Sequence, residues 1–176
     1  MWDGKKERRT VSLLGYRAFM GDYLSCNESK TKGSFIKRQA GIKDHVIFSI
    51  KGDGLQTKFG RSARRLRKIL ILTAKNFYII GQANVNNSMQ YTTEYAINLE
   101  HIKQISMTDL QDDWLALNLS NNSQPDPLIN TYFKTELVTH IKKLNKNVRI
   151  KIGPTIEYQK KVGKLHLSLI HISEPT

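Results

Sequence analysis

The sequence predicts a mainly β protein with some α structure: an antiparallel barrel or bent sheet, capped by one C-terminal amphipathic helix and preceded by an N-terminal extension. Two observations carry this prediction. Between residues 45 and 119, short β-rich stretches are separated by turns that contain Gly, Asn, Asp and Ser. Residues 130–146 then change to a helical period. A run of strands followed by one helix is typical of a sheet with a helix packed against it.

The strands are predicted from composition and from alternation at period two. The predicted strands are HVIFSI (45–50), ILILT (69–73), FYIIG (77–81), YAINLE (95–100), IKQISM (102–107) and WLALNL (114–119). The GDG triplet at 52–54 is expected to end the first strand, and AKN at 74–76 is typical of a hairpin turn. Alternating apolar and polar residues in the last three strands predict that they are half-buried.

One segment has the period of an amphipathic helix. The residues expected on its apolar face are Phe133, Leu137, Ile141 and Leu144. Asn130 or Thr131 is the expected N-cap, and three lysines crowd the last turns, where cations suit the helix dipole. A short β-rich stretch, VRIKIG, follows this helix.

The N-terminal part is predicted to lie outside the sheet. Residues 1–12 are polar and basic, as in the remnant of a linker. Residues 13–26 mix aromatic residues with Gly, which predicts a short helix or hairpin packed on the main domain. Residues 27–41 are predicted to form a loop.

The charge balance indicates a polyanionic partner. Among 176 residues, Lys and Arg number 28 against 15 Asp and Glu, a net charge of +13. Such a field attracts nucleic acid or the anionic leaflet of a membrane. No apolar run approaches the roughly 18 to 20 residues that span a bilayer. If a membrane is the partner, we therefore expect the protein to lie on it and not within it. The single cysteine, Cys26, excludes an internal disulfide and favours a reducing compartment.

Enzyme activity is the least favoured class of function. The five histidines are far apart, without metal-ligand spacing, and no Gly-rich phosphate loop occurs. The adjacent Asp112 and Asp113 are expected to cap a turn before a strand. We therefore expect no catalytic residue, no metal and no cofactor.

The strongest candidate site is the basic stretch KFGRSARRLRKILILT at residues 58–73. Its six cations are Lys58, Arg61, Arg64, Arg65, Arg67 and Lys68. No acidic residue lies between Asp53 and Glu94, and a loop between strands would bring these charges together. At about 1 kcal/mol for each cation near an anionic surface, six supply about 6 kcal/mol. That corresponds to a dissociation constant between about 1 mM and 1 μM.

Other interpretations remain open at this point. A solvated surface is the plain alternative for any run of charge. A nucleic-acid module would need aromatic platforms beside the cations, and the stretch offers Phe59 alone. A protein-interaction module would use the LQDDW turn and the exposed side of the helix. A second basic set is a candidate to extend the binding face: Lys142, Lys143, Lys146, Arg149, Lys151, Lys160, Lys161 and Lys164.

Three long stretches resemble the tail homology 1 domain of class I myosins, most closely the fungal type. They are SLLGYRAFMGDYLSCNESK, GLQTKFGRSARRLRKILILT and LQDDWLALNL followed by QPDPLINTYFKTELVTHIKKLN. The resemblance implies a pleckstrin-homology-like fold that docks an actin-based motor on acidic phospholipids in actin-driven endocytosis. It implies that Lys58, Arg65 and Arg67 hold a phosphoinositide headgroup. It also implies a cytoplasmic protein, peripheral on the inner face of the plasma membrane at actin patches.

The resemblance also sets the expected domain limits and partners. The tail homology domain would span 13–166, with a pleckstrin-homology-like core at about 45–147. Residues 167–176 fit the family poorly and are expected to be non-native and disordered. The motor domain is absent from this chain. In a full-length protein the implied partners are actin filaments, ATP and calmodulin-like light chains, and no nucleic acid is expected.

Overall fold

The computed structural model describes residues 19–56, 64–121, 123–161 and 164–168. The predicted linker, at residues 1–12, lies outside them. The elements are α1 (Lys32–Gln39), β1 (Val46–Gln56), β2 (Arg64–Thr73), β3 (Asn76–Val85), β4 (Ser88–Asn98), a 3-10 turn (Leu99–His101), β5 (Ile102–Thr108), β6 (Trp114–Leu119), β7 (Leu128–Asn130), α2 (Lys134–Leu144), β8 (Arg149–Gly153), β9 (Ile156–Lys161) and β10 (Lys164–Ser168). Neither helix of the described residues has the length and apolar character needed to cross a bilayer.

Eight strands form one bent sheet in the order β4-β3-β2-β1-β7-β6-β5-β8. Neighbours are antiparallel except for β5 and β8, which are parallel. The prediction of a mainly β protein with a bent antiparallel sheet and a helix after the strands is confirmed. β9 and β10 form a separate hairpin.

The main core lies between the concave face of the sheet and α2. Alternate residues of the strands point into it, as in Phe48 and Ile50 of β1 and Leu70 and Leu72 of β2. From α2, the core receives the fully buried Leu137, Val138 and Ile141. The helix therefore closes the concave side, as its apolar period predicted.

Two further clusters cover parts of the outer face. Ile36 of α1 packs with Cys26 and with Ile69 and Ile71 of β2. Ile156 of β9 packs with Trp114 and Ala116 of β6, among others. Every residue of β6 is therefore buried, and the prediction that this strand is half-buried is wrong. The reason is that β9 covers the face that β6 would otherwise expose.

The N-terminal predictions need correction. Residues 27–41 do not form a loop: they contain α1, which begins with a capping box between Thr31 and Ser34. Residues 19–26 are neither helix nor hairpin; they form turns, with one parallel bridge from Asp22 to Ser49. They do pack on the main domain, because Tyr23 contacts the main core.

The ends of α2 also differ from the prediction. Its N-cap is Phe133, which makes no side-chain capping bond, instead of Asn130 or Thr131. Thr131 still contributes, because its hydroxyl accepts a hydrogen bond from the backbone N–H of Phe133 at 3.3 Å. Leu144 lies outside the buried face and is 38% exposed.

At the C-terminal end, the chain adds strands beyond the predicted core. β8 extends the sheet beside β5, and Val148 is fully buried in the main core. Leu167 and Ser168 pair with β9, so the strand β10 enters the segment that was predicted to be disordered. Residues 169–176 lie outside the described residues, and their disorder stays a prediction.

Candidate functional site

The basic stretch belongs to the hairpin of β1 and β2. The two strands pair from Val46 opposite Thr73 to Gln56 opposite Arg64. The GDG triplet does not end β1, because the strand continues through it to Gln56. Gly52 is needed there: a Cβ would lie 2.6 Å from the carbonyl oxygen of Asn130 in β7. β1 can thus pair with β2 and β7 at the same point.

This geometry corrects the prediction of a basic loop. Arg64, Arg65, Arg67 and Lys68 lie in β2, and Lys58 and Arg61 fall in residues 57–63, outside the described residues. Side chains alternate along a strand, so Arg65 and Arg67 lie on one face of β2 and Lys68 on the other. The described cations therefore do not converge on one point.

Arg65 is held by its neighbours on the outer face. Its Nη2 lies 2.7 Å from Oδ2 of Asp53, and its Nε donates to the same oxygen at 2.8 Å. A further bond joins Nη2 to Oδ1 of Asn130 at 3.4 Å. The guanidinium carbon lies 5.6 Å from the ring centre of Trp114, within the range of a cation–π contact. Arg65 of β2 thus contacts three further strands, β1, β7 and β6.

Lys68 is buried on the inner face and paired with Glu94 of β4. Its Nζ lies 2.6 Å from Oε1 and 2.8 Å from Oε2 of that carboxylate. The carboxylate reaches across β3 at Gly81, where a Cβ would lie 2.7 Å from Oε2. The absence of a side chain at Gly81 leaves room for this ion pair.

Arg67 differs from both. Its side chain is 66% exposed, and its Nε lies 3.9 Å from Oδ1 of Asp53, at the limit of an ion pair. It lines two clefts at this end of the sheet. One, of about 460 Å³, also contains Lys68, Gln82 and Met89 among its lining residues. The other is about 290 Å³.

The two acidic residues that bracket the basic stretch neutralise part of it. The absence of acidic residues between Asp53 and Glu94 predicted that the positive charges would be uncompensated. The strands bring both carboxylates back, one to Arg65 and Arg67 and the other to Lys68. Distance along the chain does not measure distance across a sheet, because pairing depends on register.

Two residues of the smaller cleft were missed. Lys51 and Tyr132 line it together with Arg67, and both are exposed. Lys51 lies two residues before Asp53 in β1 and therefore on the same face. A prediction that continued β1 through the glycines would have placed Lys51 on the face of Asp53. No sequence pattern indicated that Tyr132 would lie beside them.

The second basic set separates into four groups. Lys143, Lys146 and Arg149 are exposed and line a cleft of about 950 Å³. Lys142 instead donates to the carbonyl oxygens of Lys146 and Val148, at 2.9 and 2.6 Å. Lys151 is paired with Glu157. Lys160 and Lys161 belong to β9 and Lys164 to β10, and the structure describes only the backbone of these three residues.

The large cleft does not adjoin the hairpin tip. It is lined by Lys75, which follows the end of β2, whereas the tip precedes the start of that strand. Ten residues of strand from Arg65 to Lys75 span roughly 30 Å. Lys143, Lys146 and Arg149 therefore do not form one continuous edge with the basic hairpin.

The surroundings of Cys26 and Asp112, two further residues with reactive side chains, indicate structural roles. Cys26 is 2% exposed, and burial raises the pKa of its thiol to about 11, so it stays protonated at neutral pH. Oδ1 of Asp112 accepts hydrogen bonds from the backbone N–H of Trp114 at 3.0 Å and from Nζ of Lys134 at 3.1 Å. This agrees with the expected turn cap. Across the described residues, no three His, Cys, Asp or Glu side chains lie together as metal ligands would.

Comparisons with known proteins agree on one family. Residues 8–175 match a family model described as the unconventional myosin tail, actin- and lipid-binding. Myosin-1 of Eremothecium gossypii is 63% identical over 97% of this chain and 13% of that protein. Myosin-1 of Vanderwaltozyma polyspora is 63% identical over 98% of the chain and 14% of that protein. Myosin-5 of Candida glabrata is 61% identical over 97% of this chain and 14% of that protein. The chain thus spans about one seventh of the length of these relatives.

Among solved structures, the hSac2 domain from human phosphoinositide phosphatase Sac2 matches with a TM-score of 0.48 and 10% identity, over 68% of this chain and 83% of that one. A TM-score and a sequence identity this low do not by themselves establish a shared fold or function. The family match covers nearly the whole chain, and the relatives are about three fifths identical to it. The chain belongs to the unconventional myosin tail family.

Proposed function

We propose that this chain is the membrane-binding tail domain of a class I unconventional myosin. It docks an actin-based motor on anionic phospholipids, including phosphoinositides, at the inner face of the plasma membrane, and it serves actin-driven endocytosis at cortical patches. The description of the family as actin- and lipid-binding supports this proposal, as do the net charge of +13 and the basic hairpin. The chain itself spans 13–14% of its relatives. ATP, light chains and the motor's own contact with actin would belong to the rest of the protein.

The observation that carries the proposal is the exposure of Arg67. It stands at the end of the sheet next to residues 57–63, which carry Lys58 and Arg61, and it lines both clefts there. A guanidinium binds two phosphate oxygens at once, whereas an ammonium contributes a point charge. We assign Arg67, Lys58 and Arg61 to direct contact with headgroups.

The other predicted cations have a supporting part in this proposal. Arg65 and Lys68 are ion-paired, so they fix the shape of the hairpin and reach a headgroup only if they share it with Asp53 or Glu94. Arg64 begins β2, beside the tip. Binding is then electrostatic and falls as salt is raised, because exposed charges are screened.

The test is co-sedimentation of the whole chain with vesicles. Neutral vesicles are compared with phosphatidylserine vesicles and with phosphatidylinositol bisphosphate vesicles at equal surface charge, each at low and physiological salt. Arg67→Glu changes the charge near the membrane by two units. At about 1 kcal/mol for each unit, binding to anionic vesicles should weaken roughly thirtyfold. A preference for the bisphosphate at equal charge would assign a headgroup site to the clefts.

Lys43→Glu is the matched control, because it changes the net charge equally at an exposed residue near the other end of β1. It should weaken binding much less than Arg67→Glu. Equal effects of the two variants would show that the overall charge acts without the hairpin, and absence of binding to every vesicle would reject the proposal.

A nucleic-acid module finds one exposed aromatic side chain beside the described cations, Tyr132, whereas single-strand binders stack successive bases on several. Trp114 lies under Arg65 and is 2% exposed, and Phe77 is fully buried, so neither offers a face to a base. The protein-interaction alternative loses its acidic contact, because Asp112 is occupied within the turn.

A further inference from the structure

We propose that the large cleft at the end of the sheet opposite the hairpin tip is a second anion site, which binds a small, multiply phosphorylated ligand. Five cations line the cleft: Lys75, Lys103, Lys143, Lys146 and Arg149. They come from five places in the chain: the β2–β3 turn, β5, α2, the segment after α2, and β8. The fold thus gathers residues that are as many as 74 positions apart.

These cations have no ion-pair partner among the described residues, unlike Arg65, Arg67 and Lys68 of the hairpin. All five are exposed, and in the described part of the chain no carboxylate lies within ion-pair distance of any of them. Glu100, also exposed, is the single acidic residue among those lining the cleft. By contrast, Arg65, Arg67 and Lys68 each lie within 4 Å of a carboxylate.

The end of α2 at this cleft would otherwise repel an anion, because the last carbonyl groups of a helix carry partial negative charge. Lys142 occupies two of the nearby carbonyl oxygens, those of Lys146 and Val148. Asn145 donates from its side-chain amide to the carbonyl oxygens of Leu99 and Ile102, at 2.8 and 3.4 Å. The exposed cations around the cleft counter this partial charge, and the bonds of Lys142 and Asn145, which go to carbonyl groups outside α2, fix the wall of the cleft.

The dimensions favour several phosphate groups on one small molecule. The cleft is concave and encloses about 950 Å³, within the usual size of small-molecule sites. Its floor includes Leu99 and Ile102, which are buried, so the charges stand around an apolar base. An inositol polyphosphate, either free or as the headgroup of a lipid, has this chemistry.

The site is independent of the hairpin. The two lie roughly 30 Å apart along β2, several times the screening length of about 8 Å at physiological salt. A change at one should therefore leave binding at the other unaltered. Failure of the membrane proposal would not remove this site, and failure of this site would leave the membrane proposal in place.

The test is calorimetric titration of the whole chain with inositol hexakisphosphate at physiological salt. The cleft variant combines Lys143→Ala, Lys146→Ala and Arg149→Ala. At the usual contribution of a cation near phosphate, affinity should fall about a hundredfold. The control combines Lys32→Ala, Lys37→Ala and Arg38→Ala on α1. Like the cleft variant, it removes two lysines and one arginine. It should weaken binding less than threefold; circular dichroism confirms the fold of each variant.

Vesicles containing phosphatidylinositol bisphosphate distinguish the two sources of phosphate. If the lipid headgroup is the ligand, the binding that remains in Arg67→Glu disappears when the cleft variant is added. If the ligand is free, that binding is unchanged and the calorimetric loss persists; both results support the site. Three results overturn it: no heat of binding, equal losses in the control variant, or a cleft variant that loses only co-sedimentation with actin filaments.

Discussion

At the scale of single residues, Asp53 controls how much charge the hairpin presents. One carboxylate stands between two guanidinium groups, at 2.7 Å from Arg65 and 3.9 Å from Arg67. It lowers the positive charge that a membrane would meet, and it also holds Arg65 across the strands. Stability and binding therefore place opposite demands on this residue.

Asp53→Asn should separate these two effects. Loss of the negative charge should strengthen binding to phosphatidylserine vesicles about fivefold, since one unit is worth about 1 kcal/mol near the surface. The free energy of unfolding should fall by about 1–3 kcal/mol, because Arg65 loses its ionic hydrogen bonds. Vesicle titration and urea unfolding measure the two quantities. Asp44→Asn, an exposed control with the same charge change, should alter neither by as much; weaker vesicle binding by Asp53→Asn would contradict the assignment.

At the scale of elements, α1 depends on a close backbone approach. A Cβ at Gly33 would lie 2.0 Å from the carbonyl oxygen of Leu24, a backbone atom that has no rotamer to change. Ile36 then places this short helix on the outer face of β2. The sequence around Gly33 carries few apolar residues, which explains why it predicted a loop.

Gly33→Ala should therefore displace α1 instead of strengthening it, although alanine is the better helix former. We expect a loss of about 1–3 kcal/mol in the free energy of unfolding, the range for an overpacked site. Cys26 should react faster with a thiol reagent, because the cluster that buries it opens. Gln39→Ala, at an exposed position of the same helix, is the control. Unchanged stability and unchanged Cys26 reactivity in Gly33→Ala would contradict this account.

The strands illustrate what the sequence predicts well. β6 was predicted at its observed limits, because a mostly apolar run of six residues lies between turns rich in Asp, Asn and Ser. β1 was predicted too short, since glycines are typical of a break in a strand. The need for Gly52 arises from the close approach of β7, which the sequence does not show. Periodicity reports which residues are buried, but it carries no information on what covers them.

For the candidate site, too, the sequence identified residues but not their neighbours. The sequence located the basic residues, but their pairing with Asp53 and Glu94 depends on register and on a neighbouring strand. The large cleft was harder still, because Lys75 and Lys103 belong to different segments and stand alone in the sequence. Such groupings arise only from tertiary structure.

At the scale of the whole molecule, the domain needs the strands that follow α2. Val148 is fully buried in the main core, and Ile156 is fully buried against β6. A core that ends at residue 147 would lose the first and would expose Trp114 and Ala116 to water.

A chain that ends at residue 147 should therefore not unfold cooperatively in urea, whereas one that ends at residue 168 should. Within the whole chain, Ile156→Ala should lower the free energy of unfolding by about 2–5 kcal/mol, the usual cost of removing a buried isoleucine side chain. Ile152→Ala is the control, because this side chain is 44% exposed. A cooperative transition in the shorter chain would show that β8 and β9 are accessory.

The position of the basic hairpin inside the sheet has a mechanical consequence. β2 is bonded to β3 on one side and to β1 on the other, and β1 is bonded in turn to β7. Bonds between antiparallel strands run perpendicular to the strands. Tension applied at the hairpin tip, along the strand axis, would thus load these bonds in shear, all together. A pull perpendicular to the strands would instead open these bonds one at a time. A motor attached to a membrane through the hairpin tip, and pulling along the strands, would therefore load the sheet in its more resistant direction.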